Sequence, residues 1–246
     1  MKRYSLLTTL GLLAVMPTGH AEVTSTWSLA SDYDFRGITQ TAQDPALQVS
    51  LDYVQQGGWY VGAWASNVDF CASGMVGCRD ADYEVDLYSG FTGKLGDSGP
   101  TWDAGLIYYT YEASAYNYPE IYASLAKGWF KAKVFYSNDF GGDTTAGHTS
   151  AFYVDGSVAV PIRGDFKMLG HVGYSFGNYW NELRAVDAGR RYVDYSIGVG
   201  YAWRSFSLAL KWVDGSDLKE SDGTPQDVFS SEGRVVVSVA TTLPWK

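Results

Sequence analysis

The sequence predicts an all-β protein, a single up-and-down antiparallel transmembrane β-barrel of about twelve strands. Three observations lead to this fold class. Apolar and polar residues alternate one by one in about a dozen separate runs, which is the period of a β-strand with two different faces. Short and long connectors take turns between those runs, as they do in a barrel with short turns at one end and long loops at the other. The chain also begins with a segment typical of exported proteins.

Residues 1–21 have the features of a cleaved secretory signal peptide. Lys2 and Arg3 supply positive charge, Leu6–Met16 is apolar, and Gly19-His20-Ala21 has small residues where a signal peptidase needs them. The alternative is an N-terminal anchor, but a helical span needs about 20 apolar residues, and no later window approaches that length. We therefore predict a signal peptide at residues 1–21 and an outer-membrane β-barrel of a Gram-negative bacterium at residues 22–246.

The run Phe206–Trp212 shows the strand pattern most clearly. Phe, Leu, Leu and Trp alternate there with Ser, Ala and Lys, and the aromatic residues stand at the two ends of the apolar stripe. A strand that crosses a bilayer has this arrangement, because aromatic rings lie at the two interfaces. The predicted strands are Val23–Phe35, Ala46–Gln55, Trp59–Phe70, Asp82–Phe91, Thr101–Tyr111, Glu120–Lys127, Phe130–Tyr136, Phe152–Val160, Phe166–Phe176, Val193–Trp203, Phe206–Trp212 and Arg234–Trp245.

Each predicted strand has one face assigned to lipid. In the third strand we assign Tyr60, Trp64, Val68 and Phe70 to that face, because Asn67 and Asp69 mark the other face as polar. The lipid faces of the other early strands hold Val23, Trp27, Leu29, Tyr33 and Phe35 in the first, Leu47, Val49, Leu51 and Tyr53 in the second, and Tyr83, Val85, Leu87 and Phe91 in the fourth. The later strands repeat the alternation.

Alternation alone does not say which face points inward, so a soluble sandwich or a lipocalin-like barrel is the competing interpretation. The apolar faces carry aromatic residues at strand ends and aliphatic residues in between, and nearly every second face is polar, with charges in its middle. A lipid-facing outer surface explains both features together.

Composition narrows the functional classes. The formal net charge of −9 argues against a nucleic-acid partner. Cys71 and Cys78 flank a short glycine-containing segment in an exported chain, which predicts a disulfide bond, with a free thiol pair or half a metal site as alternatives.

No catalytic, cofactor-binding or metal-binding motif stands out. Beyond the signal peptide only His148 and His171 remain as histidines, and no nucleophile–base set is visible beside either of them. We therefore predict that the protein is not an enzyme and carries no cofactor.

Charged residues on the inward faces are the candidate functional set. Opposite charges across a narrow lumen would pair, and the acidic row Asp82, Glu84 and Asp86 would favour cations. Eight-stranded barrels have a filled lumen and sixteen-stranded barrels an open one, and twelve strands lie between them. The strand count is therefore compatible with either an open pore or a plugged lumen. The predicted pore-lining residues are Asp32, Asp34, Arg36, Asp52, Asp69, Asp82, Glu84, Asp86, Asp103, Glu120, Lys131, Lys133, Asp155, Lys167, His171, Asp194, Lys211 and Arg234.

Several motifs resemble the bacterial family called TorF. The resemblance covers essentially the whole chain after the signal peptide, and it implies an outer-membrane barrel that acts as a porin. It transfers no catalytic residue. The matching segments are Ser31-Asp32-Tyr33, Phe35-Arg36-Gly37-Ile38-Thr39-Gln40-Thr41, Asp44-Pro45-Ala46, Ser66-Asn67-Val68-Asp69-Phe70, Asp86-Leu87-Tyr88, Ile107-Tyr108-Tyr109-Thr110-Tyr111, Tyr136-Ser137-Asn138-Asp139-Phe140, His171-Val172-Gly173-Tyr174-Ser175 and Asp194-Tyr195-Ser196-Ile197-Gly198.

The sequence thus predicts a narrow passive channel for small solutes or ions with a mild cation preference. The alternative is a closed structural or adhesive barrel whose long loops bind an external partner, and a barrel enzyme ranks last. Either barrel would have outer-membrane lipid and the barrel-assembly machinery as partners.

Overall fold

Twelve long antiparallel strands close into one barrel in the computed structural model. The structure describes residues 21–71, 81–112, 114–144, 149–185, 191–216 and 228–245, and the predicted signal peptide lies almost entirely outside them. The strands are β1 (Glu22–Ala30), β2 (Asp34–Phe35), β3 (Ile38–Thr39), β4 (Ala46–Val54), β5 (Trp59–Asn67), β6 (Tyr83–Lys94), β7 (Thr101–Tyr111), β8 (Tyr118–Lys127), β9 (Phe130–Ser137), β10 (Ala151–Arg163), β11 (Phe166–Gly177), β12 (Tyr192–Trp203), β13 (Phe206–Ser216) and β14 (Arg234–Leu243), with a short helix α1 (Asn178–Ala185).

Each barrel strand pairs with its neighbours in sequence, and the barrel closes where β1 pairs with β14. Strands β2 and β3 are not part of the wall and form a separate two-stranded hairpin. The predicted fold class, an antiparallel barrel of twelve strands, is confirmed.

Tight turns connect the strands at one end of the barrel. Two residues, Gly128 and Trp129, link β8 to β9, and Arg204 and Ser205 link β12 to β13. Gly128 and Arg204 have positive φ angles of 65° and 55°, as two-residue hairpin turns require. In an outer-membrane barrel the short turns face the periplasm, and we call this end periplasmic and the opposite end outer.

The outer surface of the barrel is apolar, and its interior holds charged and aromatic side chains. Leu51, Leu87, Ile121 and Ile197 point outward with more than half of each side chain exposed, while Asp and Glu side chains are buried inside. This distribution is the inverse of that in a water-soluble barrel and is that of a barrel in lipid. Among the described residues, no helix is long and apolar enough to cross a membrane.

The sequence-based prediction was wrong for the end of the first strand. β1 ends at Ala30, and Tyr33 is completely buried instead of facing lipid. The alternation continues to Phe35 because residues 34–39 form the β2–β3 hairpin, which has the same period of two but packs inside the barrel.

The predicted faces of the third strand were also wrong. Val68 and Phe70, assigned to lipid, are buried beyond the end of β5. In β5 the side chain of Val61 is exposed to the outside, and Tyr60 is buried inside with its hydroxyl bonded to Asp103. Asn67 misled the assignment because it ends the strand and its side chain bonds to the backbone of Leu47 and Pro45.

Cys71 is disulfide-bonded. Cys78, the only other cysteine of the chain, lies outside the described residues.

Candidate functional site

The connection between β1 and β4, residues 31–45, folds into the barrel, and we call it the inward loop. Its two strands, β2 and β3, form a hairpin below the outer rim. Backbone hydrogen bonds fix the loop at both sides: Thr39 N–H donates to Ser230 O at 3.0 Å, and Asp69 N–H donates to Gln40 O at 2.8 Å. The loop therefore lies across the outer half of the lumen rather than above it.

Arg234, on β14, joins the inward loop to the strand that pairs with β1 where the barrel closes. Its Nε donates to Asp32, its second terminal nitrogen donates to Asp34 at 2.8 Å, and the other donates to Gly37 O at 3.2 Å. Asp32 also accepts a hydrogen bond from the hydroxyl of Thr41. Burial raises the pKa of Asp34 to about 6, although the Arg234 charge acts to lower it.

Arg36, at the tip of the hairpin, makes the second attachment. Its guanidinium forms a two-pronged ion pair with Glu120 on β8, with N–O distances of 3.0 and 2.6 Å. The rings of Phe135 and Tyr153 lie 4.8 and 4.4 Å from its Cζ atom. Burial acts to lower the pKa of Arg36, but the Glu120 carboxylate outweighs it and holds this pKa well above its usual value.

The Arg36–Glu120 pair is almost fully desolvated, with 7 % and 1 % of the two side chains exposed. Removing one member of such a pair costs about 3–5 kcal/mol, because the other charge is left uncompensated. The pair therefore fixes the position of the loop tip strongly.

Aromatic side chains fill the space around the loop at the outer end. Tyr109 and Tyr118 stack at 4.6 Å between ring centroids, and Trp180 of α1 packs against Phe140 and Tyr192. The described part of the outer lumen is thus packed like a protein core.

A cavity of about 890 Å³ occupies the lumen on the other side of the loop. It extends from turn residues such as Gly128 and Ser205 at the periplasmic end to Asp34 and Arg36 of the inward loop. The cavity therefore has a periplasmic mouth, and the loop forms its outer boundary.

Tyrosines and carboxylates are bonded to one another along the cavity wall. Tyr88 donates to Asp52 at 2.6 Å and Tyr60 donates to Asp103 at 2.6 Å. In the same way Tyr153 donates to Asp194 at 3.0 Å. These bonds hold the acidic groups flat against the wall.

Three lysines also line the cavity, and in the described part of the chain none of them has a carboxylate within 4.0 Å. The ammonium of Lys133 lies 3.9 Å from the ring centroid of Tyr122 and 4.3 Å from that of Phe135. Lys131 and Lys211 also line the cavity.

His171 is hydrogen-bonded on the wall through its Nε2 atom, which lies 2.8 Å from Asp194 Oδ1 and 3.0 Å from the Tyr153 hydroxyl. Within the described ranges, no hydrogen bond joins His171 to a serine, threonine or cysteine side chain. Its partners Tyr153 and Asp194 are themselves groups of the cavity wall.

The eighteen predicted pore-lining residues divide into three groups. Arg234, Glu84, Asp86 and Glu120 are buried around the inward loop and do not line the cavity. Asp69 and Asp82 lie beyond the strand ends at the outer rim, and Lys167 lies on β11 away from the cavity. Those that line the cavity are Asp32, Asp34, Arg36, Asp52, Asp103, Lys131, Lys133, Asp155, His171, Asp194 and Lys211.

Sequence reasoning missed the tyrosines of the wall. Tyr60, Tyr88, Tyr122 and Tyr153 point inward and bond to the polar groups of the lumen. Their sequence signal was glycine inside predicted strands, because a cross-strand glycine leaves room for a tyrosine ring to lie flat on the wall.

The family model for Gcw_chp, a bacterial protein family of unknown function, matches residues 14–243. The chain belongs to this family. TorF, the name suggested by the motifs, is not the name of the matched family, and that resemblance stays a prediction. No curated protein sequence matches this Gcw_chp member.

Two porins and an outer-membrane channel are among the solved structures with a similar fold. The KdgM porin superposes with a TM-score of 0.53 at 7 % identity, covering 89 % of the Gcw_chp chain and 98 % of the porin. The NanC porin gives a TM-score of 0.54 at 12 % identity over 90 % and 98 % of the two chains. The COG4313 outer membrane channel from Pseudomonas putida F1 gives 0.51 at 7 % identity over 94 % and 97 %. At these identities the similarity establishes the fold alone.

Proposed function

We propose that the protein is a porin of the outer membrane, a narrow passive channel for small solutes whose outer half is narrowed by the inward loop. The observation that carries this proposal is the cavity of about 890 Å³, lined by charged and aromatic side chains, that runs from the periplasmic turns to Arg36 inside a lipid-facing barrel. The shared fold with the KdgM and NanC porins agrees with it. Export by the signal peptide at residues 1–21 and insertion by the barrel-assembly machinery belong to the same proposal.

The inward loop sets the size of the passage in this proposal. Arg234 holds the loop through Asp32 and Asp34, and Arg36 holds its tip against Glu120. Because these attachments hold the loop inside the lumen, loosening either one would widen the path for water and ions.

Single-channel recording in planar bilayers tests the proposal. We expect a small conductance for the wild-type protein and a several-fold larger conductance for Arg234→Gln, which loses three contacts to the loop. Arg204→Gln is the matched control, since Arg204 lies at the periplasmic mouth and packs on Trp203 instead. Absence of conductance in both the wild type and Arg234→Gln would contradict the proposal.

The mild cation preference predicted from Asp82, Glu84 and Asp86 stays a prediction. Asp82 is exposed at the outer rim, and the other two carboxylates are buried next to the inward loop. None of the three lines the cavity, so the reversal potential in a salt gradient has to be measured to determine ion selectivity.

The closed structural barrel remains the second candidate function. The packed aromatic cluster at the outer end, with Tyr109, Tyr118 and Trp180 buried, favours it. It predicts no flux of solutes through liposomes that contain either the wild-type protein or Arg234→Gln, and loss of partner binding when outer loops are shortened.

A further inference from the structure

We propose that the periplasmic cavity is a binding site for a small organic anion with two acidic groups, held between Lys131 and Lys133. The inference deepens the proposed porin function, on which it rests for the route of the solute, by naming the solute class. The proposed binding of an anion is opposite in sign to the cation preference that the acidic residues of the chain predict.

Five carboxylates of the cavity are already bonded to wall groups or ion-paired with Arg234. Asp52, Asp103 and Asp194 each accept a hydrogen bond from a tyrosine hydroxyl. Asp32 and Asp34 are ion-paired with Arg234. Five carboxylates of the cavity therefore already have a hydrogen-bonded or ion-paired partner on the wall.

The lysines of the cavity are not bonded in this way. Over the described part of the chain, no carboxylate lies within 4.0 Å of the ammonium groups of Lys131, Lys133 or Lys211. Asp155 faces Lys133 across the β9–β10 pair without reaching that distance. Three ammonium groups of the cavity wall therefore remain available to a solute, whereas five of its carboxylates are already bonded.

The burial of Lys133 is the strongest support for the proposed anion site. Its side chain is only 7 % exposed, and the rings of Tyr122 and Phe135 surround the ammonium. The rings attract the cation but accept no conventional hydrogen bonds from it. A buried ammonium without an acceptor is unfavourable, and a bound carboxylate would offset that cost.

The spacing of the lysines indicates a ligand with two anionic groups. Lys131 and Lys133 are alternate residues of β9 on its inner face, so their Cα atoms are about 6.6 Å apart. Ser157 on β10 stands beside Lys131 and adds a hydroxyl donor that also lines the cavity. Succinate has two carboxylates joined by two methylene groups, so each can meet one ammonium on its flexible side chain, whereas a diamine such as putrescine would meet the lysines with like charge.

Ligand titration of the purified full-length barrel in detergent tests the site. Trp64 and Trp129 line the cavity and report binding through intrinsic fluorescence. We expect saturable binding of succinate by the wild type, weaker binding of inorganic phosphate and no binding of putrescine. Lys133→Gln should weaken succinate binding about tenfold or more, since a charge-assisted hydrogen bond is lost, and Lys131→Gln with Lys133→Gln should abolish it.

Lys127→Gln is the matched control, because Lys127 is an exposed lysine one strand away that does not line the cavity. It should bind succinate as the wild type does. If Lys133→Gln does not fold, Lys131→Gln alone must still weaken binding several-fold. Succinate binding that is absent, unaffected by these substitutions, or equalled by putrescine would overturn the inference, and phosphate binding as tight as succinate would overturn its two-point form.

The failure of this inference is distinguishable from the failure of the porin proposal. Conductance through the wild type without lysine-dependent succinate binding overturns the anion site and leaves the channel. Lysine-dependent succinate binding by a protein that never conducts overturns the channel and leaves the anion site.

Discussion

At the residue scale, glycines inside the strands make room for tyrosines that cross the inner wall. Gly62 on β5 stands between Asp52 on β4 and Tyr88 on β6 in the strand register. The Tyr88 ring lies over Gly62 so that its hydroxyl reaches Asp52 at 2.6 Å. Tyr153 lies over Gly173 and reaches Asp194 in the same way.

Gly62→Ala should therefore destabilise the barrel. A Cβ atom at this position would lie 2.4 Å from Tyr88 Cε2, and the ring cannot move away without losing its bond to Asp52. We expect a loss of about 1–3 kcal/mol in the free energy of unfolding, the usual cost of overpacking. Urea titrations of the barrel folded in lipid vesicles measure this loss.

Gly156→Ala is the control for that prediction. Gly156 also lies inside a strand, β10, but a Cβ atom there would meet no atom within 4 Å. We expect a change within about 1 kcal/mol, since only the backbone entropy differs. Equal effects of Gly62→Ala and Gly156→Ala would show that Tyr88 does not restrict the site.

The contacts of individual side chains were predicted less completely than the strands. Alternation predicted that Asp103 and Asp194 point inward, and both line the cavity. It did not predict that tyrosines bond to them, because Tyr60 was assigned to the lipid face and the inward tyrosines elsewhere were not recognised. Tyrosine suits either face of a barrel wall, with an apolar ring and a polar hydroxyl.

Among the elements of the fold, the inward loop determines how much of the lumen is filled. Residues 31–45 carry the motif Phe35-Arg36-Gly37-Ile38-Thr39, which the sequence singled out without assigning it a position inside the lumen. The loop turns at Arg36 and Gly37, which have positive φ angles of 55° and 83°. At Gly37 a Cβ atom would lie 2.7 Å from Asp194 Cβ, so glycine is required there by space as well as by conformation.

The buried Asp34 of the loop makes stability depend on pH. Its pKa is about 6 in the folded protein and about 3.9 in an unfolded chain, so folding takes up a proton between these values. The destabilising contribution of Asp34 is therefore fully present above pH 6 and is lost as the pH falls toward 4. As the pH falls from 7 to 4, the free energy of unfolding of the wild type should rise by about 1–3 kcal/mol relative to that of Asp34→Asn.

Unfolding titrations at several pH values measure this difference. Asp165→Asn, at an exposed carboxylate in the turn between β10 and β11, is the control and should keep the wild-type pH dependence. A constant difference between the wild type and Asp34→Asn across this range would contradict the burial of Asp34 in the folded barrel.

For the whole molecule, the apolar outer surface of the barrel determines its depth in the bilayer. Ile197 lies in the middle of β12 with 60 % of its side chain exposed, and Phe130 begins β9 at the periplasmic turn with 62 % exposed. The two positions are equally exposed but lie at different depths of the bilayer.

Ile197→Arg should cost about 2–4 kcal/mol of folding free energy in a bilayer, and Phe130→Arg should cost about 1 kcal/mol from its charge, because an arginine near the interface reaches water. Folding titrations into lipid vesicles compare the two variants. Equal costs would mean that the apolar band is not centred on Ile197.

The sequence by itself determined the number of strands, their antiparallel order and the lipid face of nearly all of them. These properties follow from a period of two and from connector lengths, which are local in the chain. Tertiary structure alone decided that residues 31–45 lie inside the lumen, which carboxylates are bonded and which lysines stay available. Arg234 and Asp32, for example, are 202 residues apart, and only closure of the barrel between β1 and β14 brings them together.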